Sequence, residues 1–234
     1  MITLKDIKEN DKFRTLIKWA AKCMEAIGYT EHGIRHCSYV SATSRNILEK
    51  LQHPERVREL AAIAGYIHDI GNSVNRKNHG PSGACLAFQV LTEMGMDMDE
   101  ICMITSAIGN HEEETGAVVN EVAAAIIIAD KSDAHRTRVG RGKYNPEDIH
   151  DRVNYAIRQS KVVVDADSRV IQFSIEMDST SSIMEFMQIY MSRMIMCENA
   201  AKYLGCEFQL VANGQPINNH SVVAAGGRVD EESA

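Results

Sequence analysis

The sequence is poor in proline and in aromatic residues: four of its 234 residues are proline, and phenylalanine, tyrosine and tryptophan together make up only 6%. Aliphatic residues and methionine are plentiful instead, and long stretches alternate apolar with charged residues at helical spacing. This profile is typical of a helix-rich protein, and it predicts a mainly α fold. The chain is long enough to bury a sizeable core, so folding does not require a disulfide or a metal.

Positive charge is also in short supply, because 25 lysine and arginine residues stand against 32 aspartate and glutamate residues, giving a formal net charge of -7. Nucleic acids and anionic membranes do not attract a protein that is negative overall, so we expect no general nucleic-acid binding and no membrane binding. No apolar run is long enough to span a bilayer, and the charged amino terminus lacks the apolar stretch of a secretory signal. A cytoplasmic location is therefore expected.

Helical periodicity continues through most of residues 1–160, which we expect to form one helical domain. The last helix of this region is signalled by Asn145, Pro146 and Glu147, in the order cap, first-turn proline and first-turn acid. The other predicted helices span residues 4–28, 33–51, 54–68, 79–94, 98–110 and 120–136.

The pattern changes after residue 160, where two β-rich runs surround a short polar turn near residues 165–168. A long helical pattern over residues 181–204 and a last strand over residues 206–211 follow. We therefore predict a small C-terminal α+β domain at residues 161–212, built as hairpin, helix and strand. Residues 213–234 are rich in glycine and polar residues and are expected to form a disordered tail.

The helix of the α+β domain carries four methionines at steps of three and four residues, namely Met184, Met187, Met191 and Met194. The simpler interpretation is that this stripe covers the hairpin. The alternative is a homodimer formed through the C-terminal domain, since methionine-rich stripes serve both uses.

The strongest chemical signal is the segment Gly-Tyr-Ile-His-Asp-Ile-Gly at residues 65–71, which places His68 and Asp69 at the end of a predicted helix. An imidazole beside a carboxylate suits Mn, Fe, Mg or Zn rather than a metal that prefers thiolates. Three more histidines, His36, His79 and His111, lie near the inner face or end of other predicted helices. Asp130 closes the apolar run at residues 122–129, where an unpaired carboxylate is costly unless it binds a cation.

In chain order these residues are His36, His68, Asp69, His79, His111 and Asp130. This order resembles the six-ligand pattern of the HD superfamily of metal-dependent phosphohydrolases, and the resemblance covers roughly residues 32–138. It implies an HD-type helical bundle with two divalent metal ions, drawn from Fe, Mn, Mg, Co, Ni and Zn. One ion is expected among His36, His68, Asp69 and Asp130. The second is expected at His79 and His111, with Asp69 bridging the two.

Within the superfamily, the chain is most similar to the branch that hydrolyses diadenosine tetraphosphate symmetrically. The shared features are His-Gly-Pro-Ser-Gly-Ala at residues 79–84, a glycine at 116 after His111, and Ala-Asp-Lys at residues 129–131. The chain departs from that branch in its longer, more acidic segment at residues 111–116 and in its C-terminal α+β domain. Cyclic-dinucleotide phosphodiesterases share His-Asp-Ile-Gly, but their Gly-Tyr-Pro signature is missing here.

The resemblance implies hydrolysis of a phosphoanhydride or phosphodiester bond in a small, nucleotide-type substrate by a metal-activated hydroxide. Candidate phosphate-binding residues are Arg35, Lys131 and Arg136. The other basic residues between 137 and 143 are expected to form a solvated loop. Candidate catalytic residues are Asp69, Lys131, Asp133, which could orient a ligand or shuttle a proton, and Glu112, which could transfer a proton.

Two other functions fit the same residues. Di-iron oxygenases use this six-ligand arrangement on the same fold, although Lys131 and Arg136 favour a phosphate. A nucleotide-sensing regulator would bind without turnover and signal through its α+β domain. Dinucleoside polyphosphates, nucleoside phosphates and cyclic dinucleotides are all open as substrates, because a fold alone does not fix function.

Overall fold

The computed structural model describes residues 1–113, 116–140 and 144–218. Over these residues the chain forms nine α-helices, two short 3₁₀ helices and one four-stranded sheet, in agreement with the predicted mainly α class. The α-helices are α1 (Leu4–Glu9), α2 (Asp11–Ala26), α3 (Ile34–Lys50), α4 (Glu55–Ile67), α5 (His79–Glu93), α6 (Met98–Gly109), α7 (Glu121–Lys131), α8 (Ile149–Ala156) and α9 (Ile183–Tyr203). The 3₁₀ helices are Ile70–Ser73 and Arg136–Arg138, and the strands are β1 (Ile157–Asp165), β2 (Val170–Met177), β3 (Glu207–Ala212) and β4 (Gln215–Pro216).

Three helix boundaries differ from the prediction, and a side-chain hydrogen bond accompanies two of the differences. The first predicted helix is divided at Asn10, whose side chain caps α2 by accepting from two backbone N–H groups. The helix predicted at Asn145 begins at Ile149 instead, because Asp148 provides the cap. Helix α7 ends at Lys131 rather than at residue 136, and the chain then turns so that Asp133 points into the protein.

The apolar run at residues 122–129 is the central element of the helical part. All eight of its side chains are fully buried within α7, which packs against α3, α4, α6 and α9. A helix that is apolar on every side must be enclosed by protein or by lipid, and here protein encloses it. No helix within residues 1–113, 116–140 and 144–218 combines the length and the apolar character needed to cross a membrane.

The C-terminal sheet has the strand order β1-β2-β3-β4. Strands β1 and β2 form the predicted antiparallel hairpin, and α9 crosses over to place β3 parallel to β2. The first strand begins at Ile157, ahead of the predicted boundary at 161. Strand β4 lies inside the range predicted as a disordered tail, where Asn213 and Gly214 adopt positive φ angles and reverse the chain. The rest of that predicted tail, residues 219–234, lies outside the described residues.

The α+β part shares a core with the helices that precede it. One cluster of buried apolar side chains runs continuously from Ile7 in α1 to Ala212 in β3. Helix α9 joins the two parts, since it packs against both α7 and β3. Its buried side chains are Phe186, Tyr190, Met194, Cys197, Ala200 and Ala201.

The methionine stripe of α9 is therefore not its buried face, and the interpretation that the whole stripe covers the hairpin is wrong. Met194 is buried, but Met184 is 78% exposed and Met191 is 49% exposed. The larger rings of Phe186 and Tyr190 occupy the core instead, and this turns the outer methionines toward solvent. A homodimer through this part stays a prediction.

Replacing Phe186 tests the shared core. Phe186→Ala should lower the free energy of unfolding by about 3–5 kcal/mol, because it opens a cavity where α9 meets the rest of the protein. Urea denaturation followed by circular dichroism measures the change. Met184→Ala, on the exposed face of the same helix, should change the stability by less than about 0.5 kcal/mol. Equal effects of the two substitutions would contradict the assigned buried face.

Candidate metal centre

The six predicted ligand residues come from different elements and lie together. His36 is on α3, and Asp130 is the penultimate residue of α7. The other four lie at helix ends: His68 caps α4, Asp69 follows it, His79 begins α5, and His111 follows α6. The four histidines and Asp69 are almost completely buried, and the side chain of Asp130 is 15% exposed. The helix ends thus surround one compact, polar point in the interior.

Hydrogen bonds at Nδ1 fix the orientation of the histidine rings. The Nδ1 atom of His68 lies 2.9 Å from the carbonyl oxygen of Gly65, and that of His111 lies 2.6 Å from the carbonyl oxygen of Ile108. A carbonyl oxygen can only accept, so each Nδ1 carries the proton. In the neutral ring this leaves the lone pair of Nε2 free to bind a metal.

His36 and His79 are held in the same way, with carboxylates taking part. The Nδ1 atom of His36 lies 2.6 Å from a carboxylate oxygen of Asp133. The Nδ1 atom of His79 lies 3.0 Å from the carbonyl oxygen of Arg76 and also contacts the carboxylate of Glu112. These arrangements are the carboxylate–histidine and carbonyl–histidine pairs that orient metal ligands in proteins.

The four Nε2 atoms meet at short distances. Those of His36 and His68 are 3.2 Å apart, and those of His79 and His111 are 3.0 Å apart. With its proton on Nδ1, a neutral ring presents only a lone pair at Nε2, so two neutral rings cannot form a hydrogen bond through these atoms. A cation between them would satisfy both.

The two carboxylates lie beside these nitrogens. Oδ1 of Asp130 is 3.3 Å from Nε2 of His36, and Oδ1 of Asp69 is 3.2 Å from Nε2 of His79. Oδ2 of Asp69 is buried and has no hydrogen-bond partner among the described residues. Two groups of residues place ligand atoms within 4.8 Å of one another, namely His36 with His68 and Asp130, and Asp69 with His68 and His111. The donor set therefore fits divalent cations.

The charges favour ionised carboxylates at this point. Burial acts to raise the pKa of Asp69, but the neighbouring imidazoles of His68, His36 and His79 outweigh it and hold the pKa well below its usual range. Burial and the neighbouring His79 lower the pKa of His111, which keeps that imidazole neutral. Burial also acts to lower the pKa of His36, yet hydrogen bonds to surrounding carboxylates, including Asp130 and Asp133, raise it to about 10. Negative charge thus dominates around His36 and favours a cation at its Nε2 atom, which is either a proton or a metal ion.

Comparison with known proteins agrees with this geometry. Residues 33–135 match the family model of the HD domain. The matched range contains all six residues of the centre, and the match supports the resemblance to the HD superfamily, whose members are mostly metal-dependent hydrolases. An uncharacterized protein of Methanocaldococcus jannaschii is 25% identical over 208 residues, which cover 79% of each chain. Neither similarity distinguishes the diadenosine tetraphosphate branch from the rest of the superfamily.

Two adjoining cavities give access to the candidate metal centre. A small one of about 30 Å³ is lined by Asp69, Asp130 and Lys131. It shares several lining residues, among them His79 and Glu113, with a cleft of about 840 Å³. One wall of this cleft comes from α8 and α9, which lie after the matched range. The C-terminal part of the chain therefore contributes to the space beside the candidate metal centre.

Three of the predicted catalytic residues lie next to the ligand set. The Nζ atom of Lys131 is 2.7 Å from Oδ2 of Asp130, and Asp133 contacts His36 as described. The carboxylate of Glu112 contacts His79 and also accepts from the backbone N–H of Gly80 at 3.0 Å. Glu112 and Asp133 are thus placed to orient histidines, while Lys131 reaches the small cavity.

Two predicted phosphate-binding residues are not brought to either cavity. The guanidinium group of Arg35 is bound by both carboxylate oxygens of Asp133 and by Glu31. Arg136 donates to the carbonyl oxygen of Tyr155 at 2.6 Å and stacks on the Tyr155 ring. Neither is among the described residues that line the two cavities. Although both arginines are close in sequence to candidate ligands, their side chains do not line the two cavities.

Other cations occupy that space, and sequence reasoning missed them. Arg138, expected in a solvated loop, is only 8% exposed and bonds to Asp133 at 3.1 Å. Arg76 and Arg193 line both cavities. For Arg193 a signal existed, since it is the only cation in the first half of a mostly apolar helix. Nothing in the local pattern distinguishes Arg76 or Arg138 from ordinary surface cations.

The close approach at Gly71 provides a test of how the centre is built. A β-carbon at this position would lie 1.9 Å from the backbone oxygen of His79 and 2.6 Å from the backbone nitrogen of Gly83. Gly71→Ala should therefore push the start of α5 away from Asp69, destabilise the protein by about 3 kcal/mol and reduce its bound metal. Thermal unfolding and metal analysis measure both effects.

Gly109→Ala is the matched control, because the nearest atom to a β-carbon there is 3.7 Å away. This substitution lies within α6 and should leave both readouts close to those of the wild type. Normal metal content in Gly71→Ala would show that the spacing between Asp69 and α5 is not essential.

Proposed function

We propose that this protein is a metal-dependent phosphohydrolase that acts on a small nucleotide-type substrate at a binuclear centre. The observation that carries the proposal is the convergence of four imidazole Nε2 atoms and two ionised carboxylates on one buried point. The HD domain match supports the same conclusion, because this superfamily consists mostly of metal-dependent hydrolases.

The distribution of ligand atoms favours two cations. His36, His68 and Asp130 would hold one, and His79 and His111 the other. Asp69 lies between the two groups, with Oδ1 toward His79 and Oδ2 at 3.5 Å from both His36 and His68. A carboxylate with oxygens facing both groups is suited to bridge two ions. Imidazole and carboxylate donors suit Fe, Mn, Co, Ni or Zn, and Mg less well.

When bound, divalent cations lower the pKa of water and stabilise negative charge on a phosphoryl oxygen. The side chains around the centre hold the candidate ligands in position. Asp133 holds the His36 ring, Glu112 holds the His79 ring, and Asn72 donates to Oδ1 of Asp69 at 2.8 Å. Lys131 places an ammonium group beside Asp130, where it can bind a phosphate oxygen.

The cleft suits a phosphorylated substrate larger than a single phosphate. Its volume of about 840 Å³ lies in the range of typical small-molecule sites. Its lining includes Arg76, Lys77, Arg138 and Arg193, together with Tyr29, whose half-exposed ring is within stacking reach of a base. We propose dinucleoside polyphosphates as the first substrate class to examine, because the segment at residues 79–84 resembles that branch.

The metal requirement can be tested with Asp69→Asn, which keeps the shape of the side chain and removes its charge. The wild type, loaded with Mn, Fe, Co, Ni or Mg, should release phosphate or nucleotide from a panel of dinucleoside polyphosphates, nucleoside phosphates and cyclic dinucleotides. Asp69→Asn should lose bound metal and at least about a hundredfold in rate, because the shared ligand is gone. Product release is measured by chromatography and metal content by elemental analysis.

Asp167→Asn is the control for this substitution, since Asp167 is exposed in the turn between β1 and β2. It should behave like the wild type. Bound iron with no hydrolysis of any substrate would overturn the hydrolase proposal in favour of the oxygenase. Tight nucleotide binding without turnover would favour the regulator.

The role of Asp133 generates a separate prediction. Asp133→Asn should weaken metal binding by about 10–100-fold, because the ring of His36 loses its anionic partner. Competition with a metal chelator measures the affinity. Asp178→Asn is the matched control, because Asp178 also pairs with two arginines, Arg136 and Arg158, but lies outside both cavity linings. An equal loss in both variants would mean that Asp133 acts only through overall stability.

A further inference from the structure

One carboxylate lies between two cations at the junction of the two cavities. Oε1 of Glu113 is 3.4 Å from Nζ of Lys131 and 3.0 Å from Nε of Arg193. Lys131 also contacts Asp130, one of the six residues of the centre. The carboxylate oxygen therefore lies where an anion can contact both cations, and Lys131 separates it from the candidate ligand Asp130.

The two cations come from different parts of the chain. Lys131 ends α7 inside the HD domain, whereas Arg193 is on α9 of the α+β part. The guanidinium group of Arg193 lies over the ring of Tyr190 at 4.7 Å, and the Tyr190 hydroxyl donates to buried Asn154 at 3.2 Å. This stacking fixes the plane of the guanidinium group, so the position of Arg193 is built into the fold.

From this geometry we propose that Lys131 and Arg193 form a phosphate subsite, which the carboxylate of Glu113 fills until a substrate phosphate displaces it. The inference deepens the proposed function and rests on it, because it assigns part of the substrate site to the C-terminal helix. A phosphate group is negatively charged like the carboxylate, and two of its oxygens can accept two parallel hydrogen bonds from Arg193, of which Glu113 uses only the one from Nε.

Displacement is feasible because the subsite is not sealed. The side chain of Glu113 is 21% exposed and that of Arg193 is 30% exposed, while Lys131 is 6% exposed. Glu113 and Arg193 line both cavities, so a ligand in the cleft can reach the pair without rearranging α7. The cost of binding is the loss of the two ion pairs to Glu113, and the gain is two ion pairs to a more highly charged group.

The subsite can be tested by titrating inorganic phosphate into the purified, metal-analysed protein in a calorimeter. Arg193→Gln should weaken phosphate binding by at least about tenfold, because it removes a charged hydrogen-bond donor. Arg193→Lys should be intermediate, since it keeps the charge and loses the planar fork. Glu113→Gln should strengthen binding by about threefold to tenfold, because the competing anion is removed.

The double variant Glu113→Gln with Arg193→Gln provides the decisive comparison. In the absence of Arg193, the substitution of Glu113 should no longer strengthen binding, as expected for residues that share one site. Lys202→Gln, an exposed cation near the end of the same helix, should bind phosphate as the wild type does. Circular dichroism spectra establish that each variant is folded, and Glu113→Gln tests the subsite even if Arg193→Gln is unstable.

Phosphate affinity that is unchanged in Arg193→Gln, or lowered in Glu113→Gln, would overturn the subsite. So would the absence of phosphate binding in both the wild type and Glu113→Gln. These outcomes are separate from those of the hydrolase assay. If no substrate is hydrolysed but the predicted order of phosphate affinities is found, the subsite stands and the proposed hydrolase activity fails.

Discussion

The hydrogen bond at Nδ1 of each metal-centre histidine is the interaction on which the rest of the structure depends. A neutral imidazole has a lone pair at one nitrogen and a proton on the other, and when the ring is buried this N–H group needs a hydrogen-bond acceptor. For His68, His79 and His111 that acceptor is a backbone carbonyl group three residues earlier in the chain. Such a bond is local, so each histidine is oriented by its own turn of backbone.

This constraint explains why the centre is made of helix ends. A carbonyl group inside a helix is occupied by the N–H group four residues later, whereas the last carbonyl groups of a helix are free to accept from a side chain. Histidines placed at the ends of α4 and α6 can use those groups. His36, inside α3, has no such carbonyl and takes Asp133 as its acceptor instead. Arg35 and Arg138 then hold the buried carboxylate in place.

Sequence alone predicts the parts of this protein that follow local rules. The helices of the first 131 residues and the hairpin follow from periodicity, apart from the break at Asn10. The six candidate ligands could be predicted from their order along the chain, because that order resembles the pattern of the HD superfamily. Arg76 and Arg138 could not be predicted, since an arginine has the same local pattern whether it faces solvent or a cleft. Their positions depend on how α8, α9 and the loops pack, and this packing cannot be deduced from the spacing of residues along the chain.

The candidate ligands and one wall of the cleft come from different parts of the chain. Residues 33–135 contain the six candidate ligands, while Tyr190 and Arg193, outside that range, line the cleft beside them. Changes in α9 can therefore alter the shape and charge of the cleft without altering any of the six candidate ligands. The cleft can therefore vary in a part of the chain that is separate from the histidines and aspartates of the candidate centre.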